Sequence, residues 1–433
     1  MSPRHPLPLA GAGLEVPLPG GRRVAYAHLD YAASAPALRC VQDAVNEALG
    51  SYGSVHRGAG YTSQLTTRRY ERSREVIRKS VGARDRDAVI FTRNTTDAMN
   101  LLAHILPPRT TVVVFESEHH AALLPWERRH RTVRLPLLPT PEATVLAADA
   151  ALAAAPTGPR LLVVTAASNV TGELWPVARL AQAARRHGAR IAVDVAQLVP
   201  HRPVSMTGLD VDYIAFSGHK LYAPYGAGCL VGRADWATAA SPYLYGGGAT
   251  ATVGREGVAW AADPSQRHEA GTPNVAGAVA IAAACEALAS RDALVAEEER
   301  LLARLRDGLA AIGGVTQLSI WGPRHPRVGI VAFTVDGWTP GAVAQALADD
   351  YGIGVRDGRF CAHLLVDRLA GQGGAAVRAS IGLGTTDEHV DRLLSALAAL
   401  SGRHATEAPA PAAALAPAAG TGIPRLSCSV VPA

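Results

Sequence analysis

From residue 89 onward, short runs of branched apolar residues alternate with stretches of helical composition. Residues 89–92 read as a strand followed by a helix over 96–104. A second strand over 111–115 runs into Glu118-His119-His120, and 132–136 reads as a third. An alanine-rich helix near 143–155 precedes a strand at 160–165, and a helix over 176–188, closed by Gly188, precedes another at 190–194. Segments 213–216 and 226–231 complete a set of seven strands. This alternation predicts an α/β fold with a mainly parallel sheet covered on both faces. Open sheets of this kind place ligands beyond the carboxyl ends of the strands, which is where the polar residues fall here.

The pattern changes after about residue 275. Two long helices, 275–290 and 292–312, precede strands at 329–335, 353–356 and 376–381, with helices near 340–350 and 387–400. This is the pattern of a smaller α+β domain. The expected division is an arm over 1–25, a large domain over 26–274, a small domain over 275–402 and a tail over 403–433. Pro3, Pro6, Pro8, Pro17 and Pro19 break the opening, so the arm is expected to be irregular. The tail is rich in alanine and proline and is expected to be unstructured, with no role for Cys428.

Composition narrows the class. With 433 residues, 48% hydrophobic and 18% charged, the chain has the make-up of a globular enzyme. The net charge of +5 is scattered, and the basic stretch Arg128-Arg129-His130-Arg131 has no aromatic interleaving, so no nucleic-acid partner is expected. No apolar run is long enough to cross a membrane, and the opening lacks a signal core, so a cytoplasmic protein is expected. Five cysteines, Cys40, Cys229, Cys285, Cys361 and Cys428, form no ligand-spaced pair, which argues against a structural metal or a disulfide scaffold.

The chain has two lysines, Lys79 and Lys220, among 42 basic residues. Arginine keeps its proton near neutral pH, whereas a desolvated lysine can act as an amine nucleophile. Lys220 follows directly on the strand that ends in Ser217-Gly218-His219, and Asp194 ends a strand before it. Pyridoxal phosphate needs a lysine for its aldehyde and a carboxylate for its pyridinium nitrogen. Its phosphate needs donors, which Arg93-Asn94-Thr95-Thr96-Asp97 at a helix start and Ser217 with His219 can supply. Taken singly, Thr95 and Thr96 would be read as helix caps and Lys220 as a solvated strand end.

The ordered motifs Thr95-Thr96, Glu118-His119-His120, Ser168-Asn169-Val170, Asp194-Val195-Ala196-Gln197, Ser217-Gly218-His219-Lys220, Ala270-Gly271-Thr272-Pro273-Asn274 and Val355-Arg356-Asp357-Gly358-Arg359-Phe360-Cys361 together resemble the class V, fold-type I pyridoxal-phosphate enzymes. Within that class the chain is most similar to the group II cysteine desulfurases, or selenocysteine lyases, over about residues 26–401. The resemblance implies a mainly parallel seven-stranded sheet, with Lys220 holding the cofactor aldehyde and acting as acid and base. It implies that His119 stacks on the ring, Asp194 pairs with the ring nitrogen, and Gln197 and Asn169 flank the ring hydroxyl and substrate. Thr95, Thr96, Ser217 and His219 would hold the phosphate, and Gly271 and Thr272 would reach the phosphate of a partner subunit, so a homodimer is implied. Arg378 would grip the substrate carboxylate, with His56 and Arg57 at the mouth of the site.

Cys361 stands at the position of the family's nucleophilic thiol, whose attack on cysteine sulfur leaves a persulfide and alanine. The family's loop often carries two histidines before its cysteine and a proline three residues after it; here Arg359, Phe360 and Leu364 fill those positions. Sulfur hand-over to an acceptor protein and the identity of the small amino-acid substrate therefore stay open at this point. A carbon–sulfur β-lyase, an aminotransferase or an epimerase would keep the same cofactor with Cys361 incidental. A non-catalytic sulfur carrier would keep only the fold, against which the Lys220, Asp194 and His119 set argues.

Overall fold

The apolar runs pair edge to edge in a computed structural model that describes residues 7–402. Strands β1 (Asp87–Thr92), β2 (Thr111–Phe115), β3 (Arg131–Leu135), β4 (Arg160–Thr165), β5 (Arg190–Asp194), β6 (Tyr213–Ser217) and β7 (Gly228–Arg233) form one sheet in the order β1-β7-β6-β5-β4-β2-β3. Only β7 runs against its neighbours; the pairings from β6 through β3 are parallel. All five residues of β2 and of β6 are buried because helices cover both faces of the sheet. Alternate residues feed two cores, with Val113, Phe115, Ile214 and Phe216 on one face and Val112, Val114, Tyr213 and Ala215 on the other. The expected α/β architecture is the observed one.

The later part of the chain builds a second sheet, wholly antiparallel, from β8 (Val315–Gln317), β9 (Ile330–Val335), β10 (Arg356–Gly358) and β11 (Ala376–Ser380) in the order β8-β9-β11-β10. Helices Asp292–Ala310, Pro340–Tyr351 and Asp387–Ser401 supply Leu305, Leu347 and Leu397 to its core, beside Phe333 and Val377. Helix Val275–Ala287 packs instead on the large sheet, contributing Ile281, Ala284 and Cys285 to that core.

Three features differ from the sequence expectation. The opening is not irregular throughout: Glu15–Pro17 pairs antiparallel with Arg23–Ala25, and Leu9 and Leu18 are buried. Ala27–His28 then pairs in parallel with Ile353–Gly354, and Ala27 and Leu29 enter the second core. The single strand expected over 353–356 is accordingly two, because residues 353–354 take this partner while β10 pairs with β11. Helices Arg39–Leu49, Tyr61–Ser80 and His363–Ala370 and the hairpin Thr250–Gly254/Gly257–Trp260 had no clear sequence signal. The expectations for the tail and for Cys428 fall outside the described residues. Among the described residues, no helix is long and apolar enough to cross a membrane, and no group of His, Cys, Asp and Glu could hold a metal.

Candidate active site

The carboxyl ends of β4, β5 and β6 bring the first group of side chains together. Asp194 ends β5 opposite Thr165 of β4, and its Oδ1 accepts the Ala196 N–H at 2.9 Å. Lys220 lies on the tight turn after β6, where Gly218 N–H donates to the Ala227 carbonyl and Ala223 N–H to that of Gly218. A Cβ at Gly218 would lie 2.8 Å from the Ala223 carbonyl oxygen and 2.9 Å from Ile281, so the motif needs glycine there. Burial pulls the Lys220 amine down to about 8, against the opposing pull of the Asp194 carboxylate. Burial raises the Asp194 carboxyl, while Lys220 and the Ala196 N–H oppose that rise.

His119 follows β2, and its Nδ1 accepts the Ala121 N–H at 3.0 Å, which assigns the ring proton to Nε2. Burial, reinforced by Lys220 nearby, lowers His119 to about 3, so the imidazole is neutral at physiological pH. Gln197 donates Nε2 to the Ala32 carbonyl at 2.8 Å, and its buried Oε1 has no partner among the described residues.

At the start of helix Thr95–Ile105 the cap is Asn94, whose Oδ1 accepts the Asp97 N–H at 3.0 Å. Thr95 and Thr96 therefore occupy the first turn and do not cap it, which leaves them at the positive end of the helix dipole. Ser217 Oγ accepts the Thr95 N–H at 2.8 Å and lies 2.7 Å from the Thr95 hydroxyl. His219, half-buried beside them, is held below the usual histidine range by burial and by Lys220. The Thr95 and Ser217 hydroxyls thus meet at the helix start, with Ser217 three residues before Lys220, a set suited to a phosphate.

From the second sheet, Arg378 on β11 reaches the same cleft and is 3% exposed. Its Nη1 donates to the Asn169 carbonyl at 2.9 Å and its Nη2 to Asp30 Oδ1 at 3.0 Å, while its buried Nε has no partner among the described residues. The Phe360 ring covers the guanidinium at 5.0 Å. Asn169, for which a ring or substrate contact was expected, spends its Nδ2 on the Phe360 carbonyl at 2.7 Å. Asp30 had no signal in the sequence at all: it is one acidic residue among 37 and lies 348 positions from its partner.

Cys361 is exposed on a well-defined loop. His120 N–H donates to its carbonyl at 2.8 Å, and Ala362 N–H closes a turn on the Arg359 carbonyl at 2.9 Å. Phe360 and Cys361 are consecutive non-glycine residues with φ of 50° and 52°. Each such residue costs about 1–3 kcal/mol, and the grips of Asn169 and His120 on their two carbonyls hold them there. Cys361 lies within electrostatic range of both Lys220 and Arg378. Outside it, the His363 ring meets the His120 ring edge-on at 4.5 Å, and Arg359 pairs with Asp367.

The remaining expected residues form a separate surface group. His56, Arg57, Gly271 and Thr272 line a cleft of about 270 Å³. His56 Nε2 lies 2.8 Å from Glu71 Oε1, and the Gly271 N–H donates to the Gly247 carbonyl at 2.7 Å. Among the described residues, none of these hydrogen bonds reaches Lys220. Glu269 braces this surface from behind, accepting from Arg74 at 2.8 and 2.9 Å, Tyr70 Oη at 2.7 Å and Phe91 N–H at 2.7 Å. Arg74→Ala leaves that buried carboxylate without its cation and is expected to cost about 3–5 kcal/mol. Urea denaturation should show this as a lowered midpoint at an unchanged slope.

Comparison with known proteins places the site in a family. The Aminotransferase class-V family matches residues 27–393. A cysteine desulfurase of Klebsiella pneumoniae (strain 342) is 37% identical over 381 residues, covering 86% of this chain and 92% of that one. A probable cysteine desulfurase of Halobacterium salinarum is 36% identical over 395 residues, covering 89% and 93%. The crystal structure of the cysteine desulfurase CsdA from Escherichia coli superimposes with a TM-score of 0.74 at 33% identity, covering 86% of this chain and 94% of that one. The chain therefore belongs to the class-V aminotransferases, with the fold-type I architecture of that family and pyridoxal 5'-phosphate as its cofactor.

Proposed function

We propose that the protein is a pyridoxal-phosphate-dependent cysteine desulfurase that takes sulfur, or selenium, from L-cysteine-type substrates as a persulfide on Cys361, leaving alanine. The observation that carries this reading is an exposed thiol on a strained, gripped loop within electrostatic range of both Lys220 and Arg378. The cleft fits the cofactor on its donor set. A depressed lysine amine suits the aldehyde, a buried carboxylate the ring nitrogen, the partnerless Oε1 of Gln197 the ring hydroxyl, and the Thr95–Ser217 cluster the phosphate. When bound, pyridoxal phosphate supplies an electron sink for the substrate carbon next to the amine.

The chain's own residues do the rest. Lys220 would hold the aldehyde, and its depressed amine would move protons at the substrate carbons. Neutral His119 would face the ring without adding charge, and Arg378 would fix the substrate carboxylate. The Cys361 thiolate attacks the substrate sulfur. A sulfur–sulfur bond forms as the Cβ–S bond breaks, and the electron pair left on carbon takes a proton to give alanine. The exposed position of Cys361 then presents the persulfide to an acceptor, which we take to be a small thiol or a sulfur-carrier protein. The surface pair Gly271 and Thr272 is read as completing the phosphate site of a second copy, so the active unit is a homodimer, with His56 and Arg57 at its mouth.

Holoenzyme incubated with L-cysteine is expected to release alanine and to load sulfane sulfur on Cys361; pyruvate with ammonia in place of alanine would overturn the assignment. Loading of cofactor-free protein should follow the free-amine fraction of Lys220. An amine whose value in the fold is about 8, down from 10.5, is largely protonated below pH 8 and free above it. The rate of cofactor uptake is therefore expected to rise with a midpoint at about pH 8 and level off above it, in stopped-flow absorbance, and not to keep rising toward 10.5.

A further inference from the structure

We propose that Asp30 is the positioning residue for Arg378, holding its guanidinium in the orientation that receives the substrate carboxylate; the proposal deepens the reading above and rests on it. Asp30 lies where the opening segment crosses between the two sheets. Before it, Ala27–His28 pairs with Ile353–Gly354. At Asp30 the chain bridges to Ser380 of β11, two residues from Arg378. After it, Ala32 N–H donates to Ser380 Oγ at 2.9 Å and Ala35 N–H to the His219 carbonyl at 2.8 Å. The backbone carrying Asp30 is thus tied to the arginine's own strand and to the phosphate side of the cleft.

The consequence for Arg378 follows from its donors. A guanidinium offers five N–H groups in a rigid plane. Asn169 takes one on Nη1 and Asp30 one on Nη2. The ring of Phe360 blocks one face, so the two hydrogen bonds and the ring together restrain the guanidinium plane from swinging about the Cδ–Nε bond. What stays free includes the buried, partnerless Nε, an edge donor held ready for a planar anion. Without Asp30 the ties left among the described residues are the Asn169 carbonyl and the Phe360 ring, and a buried cation would lose its counter-charge. Asp30 does not touch the reacting atoms in this scheme; it acts through the arginine.

The test compares two amines on holoenzyme, read by the change in cofactor absorbance on binding: L-cysteine, which has a carboxylate, and cysteamine, which lacks one. In Asp30→Ala, binding of L-cysteine is expected to weaken about 10- to 100-fold, the effect of losing a charge-assisted hydrogen bond. Cysteamine is expected to shift by no more than about twofold, within the range of a surface-type perturbation. Asp30→Asn keeps an acceptor oxygen at the same reach and should recover most of the L-cysteine affinity. Equal losses for both amines, no loss for either, or an Asp30→Asn variant as weak as Asp30→Ala would each overturn the proposal. The absorbance of each variant before addition reports its cofactor loading, so a misfolded variant is recognised and Asp30→Asn carries the comparison. The titration needs no turnover. A wild-type protein that binds L-cysteine tightly yet makes no alanine would sink the desulfurase assignment and leave the role of Asp30 standing.

Discussion

Lys220→Ala is expected to abolish cofactor-linked absorbance and to lower alanine formation from L-cysteine by on the order of 10⁴-fold or more, as removal of a catalytic nucleophile and base does elsewhere. No other amine can take over. Lys79, the other lysine of the chain, lies on the surface of helix Tyr61–Ser80 and pairs with Glu75 at 3.4 Å. Alanine also removes the cation that opposes the rise of the buried Asp194 carboxyl, so the folding of the variant is checked by circular dichroism against the cofactor-free parent. Borohydride reduction followed by peptide mapping checks the claim: the label should fall on the peptide containing Lys220 in the parent and be absent from the variant. Retained absorbance, or label on Lys79, would refute the assignment.

Cys361→Ser separates sulfur chemistry from cofactor chemistry. The hydroxyl is close in size to the thiol, and the two backbone grips from Asn169 and His120 use carbonyls, which the change leaves alone. The loop should therefore keep its strained path and the cofactor its absorbance. Alanine formation from L-cysteine is expected to fall by about 10³-fold, since serine is a poor nucleophile toward sulfur without a general base beside it. Sulfane sulfur on the protein, read by mass spectrometry of the intact chain, should vanish. A variant that desulfurates cysteine at the parent rate would show that the thiol is incidental and return the choice to a lyase.

Much of the central sheet was legible because its strands are short, buried on both faces and punctuated by polar ends. Asp194 and Lys220 stood out for the same reason, being polar residues exactly where apolar runs stop. Helix Tyr61–Ser80 was not legible, because its buried face is Ser63, Thr66, Tyr70, Ser73, Arg74 and Ile77, and a mostly polar face gives no apolar period. Its fit depends on an ion pair with Glu269, made 195 residues away. The cap of helix Thr95–Ile105 shows the limit of local rules: threonine and asparagine both suit the position, and only the fold shows that Asn94 takes it. Asp30 and the left-handed Phe360–Cys361 pair are invisible for a related reason. Each is defined by a contact made across most of the chain.

The ties of the opening segment bear on how the polypeptide is made. Ala27 and Leu29 take their strand partners from residues 352–354, and the Ala32 N–H its acceptor from Ser380, all of which are made late in translation. Residues 27–29 must wait for these strand partners through most of translation, and such distant closures are slow. A nascent chain that stalls before residue 353 exposes an apolar edge with no partner. Chaperone capture should therefore be strongest on stalled chains of that length and fall away once the last quarter is synthesised.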